Sequence, residues 1–381
     1  MKLLFFTGSR SEWGYLRPIL EICKRNKISF KICASNMLIL DSYGDASKEI
    51  QKDGFKIDDK IFMALDGHTN TTMTKSLGIL LSSFTDTLSR EKPDWLILAG
   101  DRGETLIAAI AAAYMNIPIA HIQAGELSGN IDGQARHAIG KFAHLHFASN
   151  KDAFNRLIKL GEQKFRIFNY GAPQLDDLAS KEYMNINLKD LEKKYNINLK
   201  KNYIISVYHS VVEEGSKNKD NFGRYMKFIN SIKGYNKIWI TSNNDAGSNI
   251  IRDIFYQNRK SDDYLFNNLP RKDYLCFMKY SKMIIGNSSS GIIESSTYKI
   301  PCINVGRRQN KRFRPKNVID VLEVNENKLN KAFNKAISRK YIKSLNKIKN
   351  PYGDGKSSLK IINRIIKTKI DEKLIYKELE Y

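Results

Sequence analysis

Two hydrophobic patterns take turns along this chain. In one, apolar positions are contiguous over a short run that closes on a glycine or a polar cluster. In the other, they return every three or four residues. The contiguous runs at 2–7, 29–34, 94–99, 117–123 and 145–149, and later at 203–208, 237–242, 283–286 and 302–305, read as strands buried on both faces. Between them, 11–26 carries Leu16, Ile19, Leu20 and Cys23 on one helical face, and 71–89 has the period and length of a helix with one buried face. The region 50–65 shows neither pattern clearly. Strand, helix, strand repeated in this way predicts parallel sheets with right-handed crossovers, an α/β fold class. The polar, highly charged segment 177–201 predicts a linker. It separates an N-terminal domain over 1–176 from a second one over 202–350, and two such doubly wound domains facing one another would enclose a cleft.

Composition narrows the reading. A chain of 381 residues is long for one core and suits two domains. With 42% hydrophobic residues there is enough apolar material for both. The apolar start of MKLLFFTGSR is too short for a secretion signal and reads as a first strand. No run approaches the ~20 apolar residues of a membrane span, so a soluble protein with no membrane partner is expected. Cys23, Cys33, Cys276 and Cys302 form no CxxC pair or ligand-like spacing, which suits buried thiols in a cytoplasmic protein. The net charge of +23 raises the question of nucleic acid. Its lysines are spread among Asn and Ile without a stacking surface or DNA-binding module, so attraction of anionic substrates is the better expectation.

Several chemistries are excluded by motif. The first strand is followed by Thr7-Gly8-Ser9-Arg10 rather than GxGxxG, which argues against a nicotinamide or flavin. GDGKSS at 353–358 lacks the earlier glycine and the preceding strand of a P-loop, and the histidines lack any HExxH helix. Neither a cofactor nor a metal is expected.

Three signals remain. Gly8-Ser9-Arg10 sits at a strand-to-helix turn, either an anion cradle built from free backbone N–H groups or an ordinary tight turn. GNSSSGIIE at 286–294 follows another apolar strand. Ser288, Ser289, Ser290 and Gly291 would surround a diphosphate there, with Glu294 further along the helix accepting from ribose hydroxyls. The third is the pair of blocks LILAGDRGE at 96–104 and HIQAGELSGNIDGQARHAIGKFAHLH at 121–146. They place Asp101, Glu126 and Asp132 beside Arg136, His121 and His137 just after strands. That edge of a parallel sheet is where ligands bind, and charges there are poor core material. A surface network of salt bridges is the alternative.

TGSRSEWGYLRP, GDRGE, HIQAGELSGNIDGQARHAI, NNDAGS, GNSSSGIIE and NPYGDGK together resemble the UDP-N-acetylglucosamine 2-epimerases over nearly the full length and in motif order. The central block GE-x-SG-x-ID-x-x-x-RH is similar to that of their hydrolysing branch, which makes N-acetylmannosamine. The resemblance implies two Rossmann-like domains in the GT-B arrangement, with the C-terminal helix in 351–381 crossing back to the first. It implies UDP held by the second domain and the sugar facing the first. Position by position, it gives Arg10, His209, Asn243, Ser289, Ser290 and Glu294 to nucleotide or phosphate, His209 counting also among the catalytic groups. Asp101, Glu126, Asp132, Arg136 and His137 go to the sugar side. One departure stands out: where many family members carry a carboxylate, this chain has Gln123, which can contact substrate but cannot act as a general base.

The expected reaction is anti elimination of UDP with loss of the C2 proton, then hydration of the resulting glycal. The substrate is UDP-N-acetylglucosamine or, given Gln123, UDP-N,N'-diacetylbacillosamine. A homo-oligomer, dimer or tetramer, is expected. A non-hydrolysing epimerase, a GT-B glycosyltransferase and a basic nucleic-acid-binding protein are the rival readings.

Overall fold

The computed structural model describes every residue except 41–46, 68, 181, 182, 184, 186, 200, 201, 242–246, 262, 268 and 381. The chain forms two compact units. The first comprises Met1–Leu127, Ile131–Ala179 and Pro351–Tyr381, and the second Ser128–Asn130 and Ser180–Asn350. Each is a parallel sheet between helices, as the doubly wound α/β class of GT-B type requires.

Among the described residues the first unit has seven strands: β1 (Lys2–Thr7), β2 (Ser29–Ser35), β3 (Asp59–Ile61), β4 (Trp95–Ala99), β5 (Ile119–Ala124), β6 (Leu145–Ala148) and β7 (Ile167–Asn169). They lie in the order β3-β2-β1-β4-β5-β6-β7, all parallel. Successive side chains of a strand point to opposite faces, and β1 shows the consequence. Leu3 and Phe5 join Trp13, Leu16, Ile19 and Leu20 of the helix Arg10–Arg25 in one core layer. Leu4 and Phe6 join Leu80, Phe84 and Leu88 of the helix Asn70–Glu91 in the other. Strand order reverses between β1 and β4, so the turns after these strands diverge and open a crevice at their carboxyl ends.

The second unit repeats the plan with six strands among the described residues. They are β8 (Tyr203–Val207), β9 (Asn236–Ile240), β10 (Tyr264–Phe266), β11 (Ile284–Gly286), β12 (Cys302–Val305) and β13 (Val318–Val321), in the order β10-β9-β8-β11-β12-β13. Its switch point lies between β8 and β11. One face packs on the helices Lys217–Ser231 and Glu326–Ile337, the other on Arg271–Tyr280.

Within 177–201, where a linker is expected, the structure places the helix Leu188–Tyr195. Asn187 caps it by accepting from the Lys189 N–H, and Leu191 is buried in the second unit's core. One buried leucine per two turns suffices to dock a short helix, and the surrounding charge hides it in the sequence. The uncertain region 50–65 holds part of the helix Ser47–Lys52 and strand β3. All four cysteines are buried free thiols.

Candidate active site

The first unit's crevice is built from turns at positive φ, two of them held by glycine. Gly100 (φ +87) ends β4, its N–H donating to the Ile122 carbonyl at 3.0 Å, and delivers Asp101 at the switch-point edge. Its carbonyl accepts from His121 Nε2 at 2.7 Å. Burial lowers the His121 pKa to about 3, so the imidazole is neutral and serves as a fixed donor to that turn. Gly125 (φ +77) ends β5, where a Cβ would fall 2.5 Å from the Ala153 carbonyl oxygen.

Arg136, on the helix Ile131–Phe142, fastens these turns together. Its guanidinium donates to the Asp101 carboxylate and, at 2.7 Å, to the Gln123 carbonyl. Asp101 keeps a fifth of its side chain exposed while Arg136 is buried. The pair therefore presents a carboxylate outward on a cation held from behind. Gln123 is a non-glycine residue at φ +64, beside a register shift between Ile122 and Ala124. Such backbone is uncommon and concentrates at functional sites. Its buried side chain donates to Gln174 Oε1 at 3.0 Å.

Glu126 stands on the same edge, buried, accepting from the Ser149 hydroxyl and from Asn150 Nδ2 at 3.4 Å at the end of β6. Asp132 lies half-buried in the first turn of the helix that carries Arg136. His137 follows Arg136, and burial, then the Arg136 and Arg156 charges, lower its pKa to about 4. Neither His121 nor His137 is a cation at neutral pH. Their chemistry is that of neutral donors and acceptors.

Of the two readings left open for the turn after β1, the structure shows the tight turn. The N–H groups of Gly8 and Ser9 are not free for an anion: both donate to Glu12 Oε2, at 2.6 and 2.9 Å, and Thr105 donates to Glu12 Oε1 at 2.7 Å. Glu12 and Ser9 form a capping box. A carboxylate of the chain itself thus occupies the cradle. Burial and then the neighbouring Glu104 push the Glu12 pKa up to about 7. Glu104 accepts from Asn36 and Arg102. Arg10 opens the helix from this turn, its pKa lowered by burial against the opposing influence of Glu49.

In the second unit, His209 follows β8 and the serine loop follows β11. Ser288 Oγ and Ser290 Oγ lie 3.0 Å apart, and Ser290 Oγ lies 2.6 Å from the Tyr274 hydroxyl. Burial pushes the Tyr274 phenol above its usual range, so it remains a protonated donor. Ser288, Ser289 and Ser290 are all partly exposed. The expected helix is a single turn, Ser290–Ile293, with Glu294 at its end rather than along it. Glu294 accepts from Arg271 at 2.9 Å. Gly291 is buried, and a Cβ there would lie 2.8 Å from Cys302 Sγ, so close packing rather than ligand approach accounts for it. Asn243 lies outside the described residues.

Arg271 and Tyr274 on the helix Arg271–Tyr280, Ser149 and Asn150 after β6, and Gln174 escape a reading by motif because they lie outside the motif blocks. Glu12 went unread too, although Ser-x-x-Glu before an apolar run spells a capping box. Among the described residues there is no group of three or more His, Cys, Asp or Glu able to hold a metal ion. No described helix is long and apolar enough to cross a membrane.

The family profile described as UDP-N-acetylglucosamine 2-epimerase matches residues 20–366. This chain belongs to the UDP-N-acetylglucosamine 2-epimerase family. It is 35% identical over 361 residues to the UDP-N,N'-diacetylbacillosamine 2-epimerase (hydrolyzing) of Legionella pneumophila, covering 94% of this chain and 93% of that one. It is also 35% identical over 345 residues to the GDP/UDP-N,N'-diacetylbacillosamine 2-epimerase (hydrolyzing) of Campylobacter jejuni, covering 89% and 88%. Among solved structures, the family fold is matched by the UDP-GlcNAc 2-epimerase of Neisseria meningitidis bound to UDP-GlcNAc, with a TM-score of 0.81, 21% identity and coverage of 97% and 100%.

Proposed function

We propose that this member of the 2-epimerase family is a hydrolysing enzyme that converts a UDP-2-acetamido sugar and water to UDP and a free sugar inverted at C2. The observation that carries the reading is the Asp101–Arg136 pair at the first unit's switch point, fixed to the β5 turn through the Gln123 carbonyl. The C2 proton of such a sugar is not acidic, so its removal must accompany loss of UDP from C1. That step calls for a base with a defined orientation on the sugar and donors on the diphosphate. A well-placed base contributes about 10²- to 10⁴-fold in rate. Asp101, with Glu126 and Asp132, supplies the carboxylates. In the second unit His209, Ser288, Ser289 and Ser290 supply donors to the leaving group, while Glu294 accepts from the ribose. Arg10 adds a cation, and His137 a neutral contact to the sugar. Carboxylates in different surroundings can hold different protonation states, which acid and base steps at one site demand. Gln123, held by Gln174, contributes contact and not proton transfer.

The two relatives at 35% identity are named for the diacetylbacillosamine nucleotide, which favours that sugar over UDP-N-acetylglucosamine. Each nucleotide sugar, incubated separately in deuterated water and followed by NMR, separates the readings. The expected product is a free mannose-configured 2-acetamido sugar carrying deuterium at C2. In ¹⁸O water the UDP should leave unlabelled, because the C1–O bond breaks. A product still joined to UDP would place the enzyme in the non-hydrolysing branch, and an unlabelled C2 would rule out elimination.

A further inference from the structure

We infer that Asn287 is a positioning residue that sets His209 in register with the serine loop, an inference that rests on the proposed role of His209 at the diphosphate. The Asn287 side chain, 1% exposed, makes both hydrogen bonds that the His209 backbone can offer. Oδ1 accepts from the His209 N–H at 2.7 Å, and Nδ2 donates to the His209 carbonyl at 2.8 Å. A primary amide has the one donor and one acceptor needed to clasp a single residue this way; a carboxylate or a hydroxyl does not have both in that geometry. Asn287 is itself held. Its N–H donates to the Val207 carbonyl at 3.0 Å, and its carbonyl accepts from Gln309 Nε2 at 3.2 Å and Arg308 Nη1 at 3.3 Å. The approach of the two turns depends on Gly286, at φ +142, where any Cβ would fall 1.9 Å from the Val207 oxygen. Ser288 to Ser290 continue directly from Asn287. One side chain therefore determines the spacing between the imidazole-bearing turn after β8 and the hydroxyl-bearing turn after β11.

Groups that stabilise a departing diphosphate act through fixed geometry, and a misplacement of about 1 Å can cost on the order of 100-fold in rate. Asn287→Asp keeps the acceptor, loses the donor and removes the Nδ2 hydrogen bond from the half-buried His209 carbonyl. Asn287→Ser keeps a single hydroxyl and a smaller volume, and serves if the aspartate variant fails to fold. The test is a double-mutant cycle on turnover of the UDP-sugar by the full-length enzyme, combining each variant with His209→Ala, with circular dichroism melts on all forms. Expected is a fall in kcat of about 100-fold for Asn287→Asp in the native background, and less than about 3-fold further loss once His209 is gone. A similar loss in both backgrounds would mean that Asn287 acts on the fold at large, and would overturn the inference while leaving His209 in place. If His209→Ala alone keeps full turnover, the reading of His209 falls and takes this inference with it.

Discussion

At the scale of single residues, the site separates charges that face outward from charges turned inward. Asp101 belongs to the first kind. Its carboxylate is partly exposed and backed by a buried arginine, so Asp101→Asn preserves shape while removing the basic oxygen. The expected outcome is a loss of turnover of about 10²- to 10⁴-fold with UDP affinity within about 3-fold, by isothermal titration. Near-normal turnover in this variant, and also in Glu126→Gln and Asp132→Asn, would remove the carboxylates from the mechanism. Glu12 belongs to the second kind, and pH reveals it. Its folded pKa of about 7 lies above the ordinary 4.5, so between those values the folded state holds a proton that the unfolded chain has lost. Stability should therefore fall as pH rises from about 4.5 through 7 and then level off. Between pH 5 and pH 8 the wild type should lose about 2–3 kcal/mol more than Glu12→Gln does, measured on the unfolding transition of the first unit. Equal losses would show that Glu12 is ionised throughout.

At the scale of elements, the helix Ile131–Phe142 carries Asp132, Arg136 and His137, and its far end is fastened by a residue well outside any motif. Lys377 Nζ donates to the carbonyls of Gly140, Lys141 and Ala143 at 2.7, 3.1 and 2.8 Å, and lies 2.6 Å from Glu162. A cation there also complements the helix dipole. Lys377→Met should destabilise the first unit by about 3 kcal/mol, because it leaves the part-buried carbonyls of Gly140 and Ala143 and the buried Glu162 short of a partner. A melting temperature within a degree of wild type would contradict this. No sequence pattern announces such a contact, which joins residues more than two hundred positions apart. Strands show the same division between legible and hidden. The nine inner strands among the described residues, β1, β2, β4, β5, β6, β8, β9, β11 and β12, were legible as contiguous apolar runs, being covered on both faces. The four that were not, β3, β7, β10 and β13, are the edges of the two sheets. Edge strands are short and tolerate polar residues, as Asp59-Lys60-Ile61 illustrates, so they carry little hydrophobic signal. Likewise Asp101, Glu126 and Asp132 stood out because glycine turns or a helix start follow a strand. Ser149 and Asn150, which donate to Glu126, and Gln174, which accepts from Gln123, come from other turns and leave no trace in spacing.

At the scale of the whole molecule, the chain leaves its first unit after Ala179 and returns to it at Pro351. The returning segment is structural material for that unit. The helix Ser357–Lys367 places Ile361, Ile362 and Ile365, all fully buried, in the same core layer as Leu3, Phe5 and Leu16. Asp176 receives the helix start, accepting from the N–H groups of Ser357 at 2.9 Å and Ser358 at 2.7 Å. Arg166 donates to the carbonyls of Lys373 and Leu374, both at 2.8 Å. Burying three isoleucines is worth roughly 5 to 9 kcal/mol, comparable with the ~5–15 kcal/mol that holds a typical domain. The first unit is therefore incomplete until 351–381 has been made, although it also holds residues from Met1 onward, whereas the described strands of the second unit are complete by Val321. A chain ending at Asn350 should keep slow amide exchange in β8, β11 and β12 but lose it in β1, β4 and β5, read by hydrogen exchange and mass spectrometry. Adding the peptide 351–381 in trans should restore protection to the first unit alone. Unchanged protection of β1 and β4 in the truncated chain would show that the returning helix is an accessory rather than part of the core.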